Sequence, residues 1–337
     1  MRFGQGLASA VADGYGRQVS AGAGNVHRVT SGSNVRASAV WNPDGPDLIV
    51  EADNLDYLRT LPDESFRVVY IDPPFNTGRT QRLQSLKTRR SENGTRVGFK
   101  GQRYETVRST LHHYDDAFTD YWGFLEPRLF EAWRLLTPDG TLYLHLDYRE
   151  VHYAKVMLDA MFGRDSFLNE IIWAYDYGAR STTRWPAKHD NILVYVKDPA
   201  NYVWNGKDVD REPYMAPSRV TAEKVALGKL PTDVWWHTIV PTGSKERTGY
   251  ATQKPVGIVR RMIQASSHPG DWVLDYFAGS GTTGAAAREL GRRFVLVDSN
   301  PEAIRIMAKR LDDGRGEGPV SLVTAALTDV GGAAVGA

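Results

Sequence analysis

Val69-Tyr70-Ile71-Asp72-Pro73-Pro74-Phe75-Asn76-Thr77-Gly78 decides how the rest of the chain is read. Phe66 to Ile71 is a short apolar run, the pattern of a buried strand. Pro73 and Pro74 lack an N–H and have a restricted φ, so the strand must stop there. The prolines make a rigid corner at the C-terminal end of a strand, where open α/β sheets bind ligands. The corner offers a carboxylate, carbonyls stiffened by proline and the flat face of Phe75. Those groups suit a planar ring carrying an amino group: the oxygens accept hydrogen bonds from its N–H groups and the phenyl covers its π-face. An Asp-Pro turn beside a core Phe is the plain alternative.

A second stretch removes most of that ambiguity. Val273 to Gly284 reads strand, glycine turn, helix; Gly279, Gly281 and Gly284 satisfy G-x-G-x-x-G, and Asp298 closes the next strand about 20 residues on. The pattern predicts close backbone approach to a ligand at the glycines, helix N–H groups facing it, and an acid for a ribose diol. A nicotinamide dinucleotide and S-adenosylmethionine both meet these terms. A nicotinamide oxidoreductase, however, gives no reason for Asp-Pro-Pro-Phe at a strand end. An amine methyltransferase needs both sites side by side.

Composition narrows the chemistry. The 337 residues carry a net charge of +1, so nucleic-acid contact would need a local basic patch. The chain has no Cys, which excludes disulfides, thiolate metal sites and Cys nucleophiles. No apolar run is long enough to span a membrane, and no secretory h-region is read, so a cytoplasmic enzyme is expected. No metal site is read.

Along the chain, residues 1–45 are rich in Gly, Ala and Ser and are expected to be a flexible arm. Leu48–Asp53 is a strand ending in an acid, followed by a helix at 54–61. Residues 79–108 hold nine Lys/Arg, among them Arg79, Arg82, Lys87, Arg89 and Arg90, against Glu92 and Glu105. With Asn93-Gly94 and Gly98 breaking any helix, this is expected to be a long basic loop that contacts phosphates. Helices are expected at 120–136 and 149–162, strands at 141–147, 169–175 and 191–196, the last two as a hairpin. Residues 198–249 lose regular pattern and mix Trp204, Trp235, Trp236 and His237 with Lys245 and Arg247; either a small satellite core or a surface that reads a partner fits. The remaining expected elements are a helix at 255–267, a strand at 271–277, a helix at 282–290, a strand at 293–298 and a helix at 301–311. From Gly314 a loose tail is expected.

Asp72-Pro73-Pro74-Phe75 resembles the catalytic motif of DNA amino-methyltransferases, Phe277-Ala278-Gly279-Ser280-Gly281 their cofactor motif, and Thr252-Gln253-Lys254-Pro255 the block that helps hold the methionine end of the cofactor. The catalytic motif comes first, as in the permuted β group, which includes stand-alone adenine methyltransferases and type III modification subunits. The similarity runs from about Leu48 to about Leu311. Phe75 stands where Tyr is commoner, and Tyr276 where Pro is common.

This resemblance implies a Rossmann-like S-adenosylmethionine-dependent fold, α/β, with a seven-stranded, mostly parallel sheet and one antiparallel hairpin strand. It makes 46–197 and 250–313 the catalytic domain and 198–249 the target-recognition region. It implies S-adenosylmethionine held by Asp53, Asp72, Lys254, Asp275, Phe277, Gly279, Ser280, Gly281, Thr282 and Asp298, with Asp53 near the adenine. The substrate is then double-stranded DNA, methylated at adenine N6 or, as the alternative, at cytosine N4. Asp72, Pro73, Pro74 and Phe75 would do this at a flipped base. Arg79, Arg82, Lys87, Arg89, Arg90, Lys245 and Arg247 are the candidate DNA contacts. Some members pair as homodimers or join restriction subunits.

Overall fold

The computed structural model describes residues 41–76, 79–90, 96–97, 103–116, 118, 120–176, 178, 180–311 and 320–324. The expected N-terminal arm lies almost wholly outside these residues. In chain order the elements begin with β1 (Asp47–Glu51), α1 (Asn54–Leu58), β2 (Phe66–Ile71), β3 (Arg79–Arg90), β4 (Arg96–Val97) and β5 (Arg103–Asp116). Next come α2 (Tyr121–Leu135), β6 (Leu136–Leu146), α3 (Val151–Phe162), β7 (Phe167–Ala174) and β8 (His189–Val196). The chain then forms α4 (Ala222–Leu227), β9 (Val234–Trp236), α5 (Val256–Ser266), β10 (Trp272–Asp275), α6 (Thr282–Glu289), β11 (Arg293–Asp298), α7 (Pro301–Leu311) and β12 (Val320–Thr324).

The central sheet has nine strands in the order β12-β1-β11-β10-β2-β6-β8-β7-β9. β8 alone runs against its neighbours; every other pairing in the sheet is parallel. The expected seven strands form the centre, and each edge carries one more. β12 pairs with β1 from Asp47↔Val320 to Glu51↔Thr324, so this part of the expected loose tail is an ordered edge strand. β9 extends the other edge from within 198–249, through Ile172↔Val234 to Ala174↔Trp236.

Alternation explains why the strands read as continuous apolar runs. Successive residues point to opposite faces, and here both faces are covered. Leu48, Val50, Val69, Ile71, Leu274, Val295 and Val297 join one core with residues of α1, α2 and α3. Ile49, Val68, Tyr70, Val273, Phe294 and Leu296 join a second core with residues of α5, α6 and α7. Each fully buried side chain of this kind contributes about 1.5–3 kcal/mol. A one-residue slip would exchange the two sets, so the register is firmly set.

The 79–108 stretch departs from the expected loop. β3 and β5 pair as a long antiparallel ladder from Arg79↔Asp116 to Arg90↔Tyr104, with β4 added against β5. The five basic residues Arg79, Arg82, Lys87, Arg89 and Arg90 therefore sit on one strand. The helix-breaking residues Asn93, Gly94 and Gly98 lie outside the described residues; they interrupt helices but leave strands on either side free to pair. No helix among the described residues is long and apolar enough to cross a membrane.

Candidate active site

β10 and β2 are adjacent and parallel, with Val273↔Val68 and Leu274↔Val69 in register. Their C-terminal extensions, Asp275–Ala278 and Asp72–Phe75, therefore leave the sheet side by side. Between them opens a cavity of about 260 Å³, lined by Asp72, Pro73, Pro74 and Phe75 on one wall and Asp275, Phe277, Gly279, Ser280, Thr282 and Asp298 on the other. Asp53 and Lys254 complete it. Segments about two hundred positions apart thus share one cleft.

The glycine turn is held in shape by its own hydrogen bonds. Gly279 and Gly281 have φ of 49° and 72°, in the left-handed region where a side chain is strained. A Cβ on Gly281 would lie 2.8 Å from Met307 Cγ. Gly284 serves another purpose: a Cβ there would meet Leu296 Cδ1 at 2.7 Å, so this glycine lets α6 pack against β11. The Asp298 carboxylate accepts from Gly279 N–H and Asn300 N–H, both at 2.8 Å, tying β11 to the turn. Asp275 accepts from Phe277 N–H at 3.0 Å and from the Thr283 hydroxyl at 2.5 Å. Burial drives the Asp275 carboxyl up to about 7, against the pull of those two donors. Asp275 is thus a brace of the turn as well as part of its wall.

Asp72 is held differently. Its carboxylate pairs with Lys254 Nζ at 2.7 Å, and that ammonium lies 4.7 Å from the Phe75 ring centroid. The Lys254 carbonyl accepts from Thr282 Oγ1 at 3.0 Å, which joins the Thr-Gln-Lys-Pro block to the start of α6. Gln253 bonds Thr248 N–H and the Glu246 carbonyl, and Glu246 Oε2 accepts from Val256 N–H at the start of α5. Lys254 is therefore set by a network on its own segment, and it bridges the two walls. After Phe75 the chain turns at Asn76, with φ 52°, whose side chain donates to Glu150 Oε1 and accepts from Phe118 N–H.

Asp53 caps α1, accepting from Leu55 N–H at 2.9 Å and Asp56 N–H at 3.3 Å. One of its oxygens is 3.3 Å from Arg128 Nη2. Arg128 also donates to Asn54 Oδ1 and the Phe124 carbonyl, while Asn54 donates to the Tyr276 carbonyl. Tyr276, where the resemblance has Pro, is fully buried and donates to the Arg128 carbonyl. Asn54, Phe124, Arg128, Tyr250 and Asn300 all line the cavity and were not singled out from sequence. Their signal was too generic: isolated residues on unrelated elements, joined only by folding.

Behind the Asp72 corner runs a buried polar chain that sequence reading also missed. Tyr70 hydroxyl is 2.9 Å from His145 Nδ1, His145 Nε2 is 3.3 Å from Asp190, and Tyr175 hydroxyl donates to Asp190 at 3.0 Å. Burial pushes Asp190 up, but the His145 hydrogen bond, then the charges of His145 and Lys254, hold it below the usual range. The Tyr70 hydroxyl is pushed well up, by burial first and the Asp72 charge second.

Lys245 and Arg247 lie elsewhere. They line a separate cleft of about 360 Å³ with Arg288, Lys309 and Arg310, and are absent from the walls of the main cavity. The 198–249 stretch is divided: Trp235 is buried in the second core, while Trp204 and Trp236 are exposed. Asn205 N–H donates to the Ala265 carbonyl and Asp210 pairs with Arg260, so part of the stretch is strapped to α5.

The family model described as DNA methylase (N6_N4_Mtase) matches residues 66–309, which contain both walls of the cavity. The chain belongs to this family. It is a DNA methyltransferase, and the family is S-adenosylmethionine-dependent. This sets aside the nicotinamide oxidoreductase alternative. The type II methyltransferase M.HpaI of Haemophilus parainfluenzae is 31% identical over 255 residues, covering 76% of this chain and 71% of its own. The DNA adenine methyltransferase YhdJ of Escherichia coli (strain K12) is 29% identical over 272 residues, covering 78% of this chain and 82% of its own. Among solved structures, the PvuII DNA methyltransferase (cytosine-N4-specific) is 15% identical with a TM-score of 0.53, covering 80% of this chain and 87% of that one. At that identity the match shows the shared fold of this DNA methylase.

Proposed function

We propose that this DNA methylase methylates the exocyclic N6 of adenine in duplex DNA, at a base turned out of the helix into the cavity. The observation that carries the reading is the shared cleft: the Asp72 corner and the glycine turn form its two walls. An exocyclic amine is a weak nucleophile because its lone pair is delocalised into the ring. Asp72 and the Pro73 carbonyl accept hydrogen bonds from its two N–H groups, which favours a pyramidal nitrogen with the lone pair localised. Phe75 covers the ring face; such stacking is worth about 1–3 kcal/mol against a flipping cost of a few kcal/mol. Rate enhancement comes from position and fixed charge. Direct transfer needs no covalent enzyme intermediate, which fits a chain with no Cys.

The residues present fit S-adenosylmethionine. The left-handed Gly279 brings backbone to the cavity wall, with Gly281 behind it against Met307; Phe277 offers a flat face, and the Asp298 and Asp53 carboxylates are placed to accept from hydroxyl and amino groups. Lys254 would take the carboxylate, and Ser280 and Thr282 flank it. When bound, the cofactor supplies an electrophilic methyl group on a sulfonium. In this arrangement Lys254 serves two anions, the cofactor's and Asp72.

The adenine assignment draws support from Asp at the first motif position and from the adenine-specific relative; both amines would fit the same acceptors. The basic ladder strand Arg79–Arg90 is the proposed phosphate contact, and the exposed part of 198–249 the proposed base reader. Modified-base sequencing of genomic DNA from cells expressing the chain tests the reading. N6-methyladenine at one recurring sequence, lost with Asp72→Ala, is expected; N4-methylcytosine instead would move the assignment to cytosine, and no modified base would overturn it.

A further inference from the structure

The turn between β7 and β8 stands apart from the rest of the surface. Trp185 at its tip is 96% exposed, whereas Trp173 and Trp235 nearby are 2% and 6% exposed. The aromatic surface that the fold uses in this region is therefore already inside. From Gly178 to His189 the sequence holds Arg180, Arg184 and Lys188 and no acid. Among the described residues, none of these three cations is paired with a carboxylate.

The turn is shaped locally. Ser181 Oγ accepts from Thr183 N–H at 3.2 Å and Arg184 N–H at 3.1 Å, a serine-type turn. Pro186 comes directly after Trp185 and disfavours helical backbone at it.

Topology sets where this turn leaves the sheet. Ile71 pairs with Leu144, Leu146 with Asn191, and His189 with Ala174. The turn therefore emerges at the same end of the sheet as Asp72. β8 lies two strands from β2, about 10 Å at the usual spacing. That is close to the width of a DNA major groove, about 12 Å. Trp236, 76% exposed and level with Ala174, lies at the same end.

We propose that Trp185, carried on the basic 180–188 turn, is a wedge that enters the duplex beside the target pair and occupies the space vacated by the extruded base. Apolar side chains inserted between base steps are a known way of opening a duplex, and cations on either side of the wedge match the two phosphate backbones. The inference rests on the duplex-DNA reading above.

The test uses the purified full chain and two duplexes of the sequence mapped from genomic DNA. One is fully paired; the other has an abasic position opposite the target, so the pair is already broken. Trp185→Ala is expected to lower kcat on the paired duplex about 10-fold or more, because part of the opening cost is no longer offset. On the abasic-opposed duplex it is expected to stay within about twofold of the unaltered chain, with unchanged S-adenosylmethionine affinity as the check on folding. Equal loss on both duplexes, or no loss on either, would overturn the wedge. Failure of the unaltered chain to methylate either duplex would overturn the underlying reading and the wedge with it.

Discussion

Asp72 and Asp275 are two acids at the ends of neighbouring parallel strands, and they are put to opposite uses. Asp275 is 3% exposed, with its oxygens taken by Thr283 and by Phe277 N–H. Asp72 faces the cavity and is paired with one long side chain, Lys254. Around Asp275 the wall is a finished hydrogen-bonded turn. Around Asp72 it is a proline-stiffened corner whose one strong partner is a cation that an incoming anion can compete for. The glycine-turn wall is built to keep its shape, and in the proposed reading it takes the cofactor while the Asp72 wall exchanges partners at the target base.

Asp72 is where this contrast is most directly put at risk. Asp72→Ala should lower methyl transfer by at least ~10²–10³-fold, the scale of losing one preorganised polar group, with S-adenosylmethionine binding nearly unchanged. Labelled-methyl transfer and equilibrium cofactor binding measure the two; wild-type turnover would end the assignment of Asp72. Lys254→Met should weaken cofactor affinity about 10-fold, the value of one charge-assisted bond, and free Asp72 from its partner. The readout is KM for the cofactor against kcat, and an effect confined to kcat would contradict the shared role.

On the other wall the effects are on stability. Gly281→Ala forces a side chain into φ 72° with a 2.8 Å contact to Met307, and should cost about 1–3 kcal/mol with a lower Tm. The remaining effect depends on pH and is expected at Asp275. Its carboxyl sits at about 7 in the folded chain against 3.8 ordinarily, so the folded state binds the extra proton between those values. Stability from this group is therefore greatest at the acid end of the window and declines as pH rises from about 4 to about 7. The Tm of Asp275→Asn minus that of the unaltered chain should grow across that range; a constant difference would mean that Asp275 ionises normally.

The two motif ends could be read because each is local. Asp72-Pro73-Pro74-Phe75 stops a strand by proline chemistry, and Gly279 and Gly281 announce a left-handed turn. β1 pairs with β11 from opposite ends of the chain, with Glu51↔Asp298 in register, a neighbourhood that no local pattern carries. Buried strands also left short apolar runs bounded by turn residues, too brief for helices. Edge strands leave weaker marks. Val234–Trp236 and Val320–Thr324 are three and five residues long, and their pairing depends on a neighbour far away in sequence. The basic stretch at 79–90 read as loop because its charges mask alternation, although β5 pairs it throughout.

The order of residues was thus enough to name the chemistry on offer: a carboxylate corner, a glycine turn, no thiol, and the sequence in which they come. Which acid is held in a finished turn and which lines the cavity with a cation partner was settled by packing in three dimensions. Packing also brought Lys254 onto Asp72, set Asn54 and Arg128 against Tyr276, and buried His145 between Tyr70 and Asp190. The reason is physical. A backbone turn is specified by the φ its own residues tolerate, whereas a carboxylate's role depends on which donors reach it and how much water remains, and both come from distant strands.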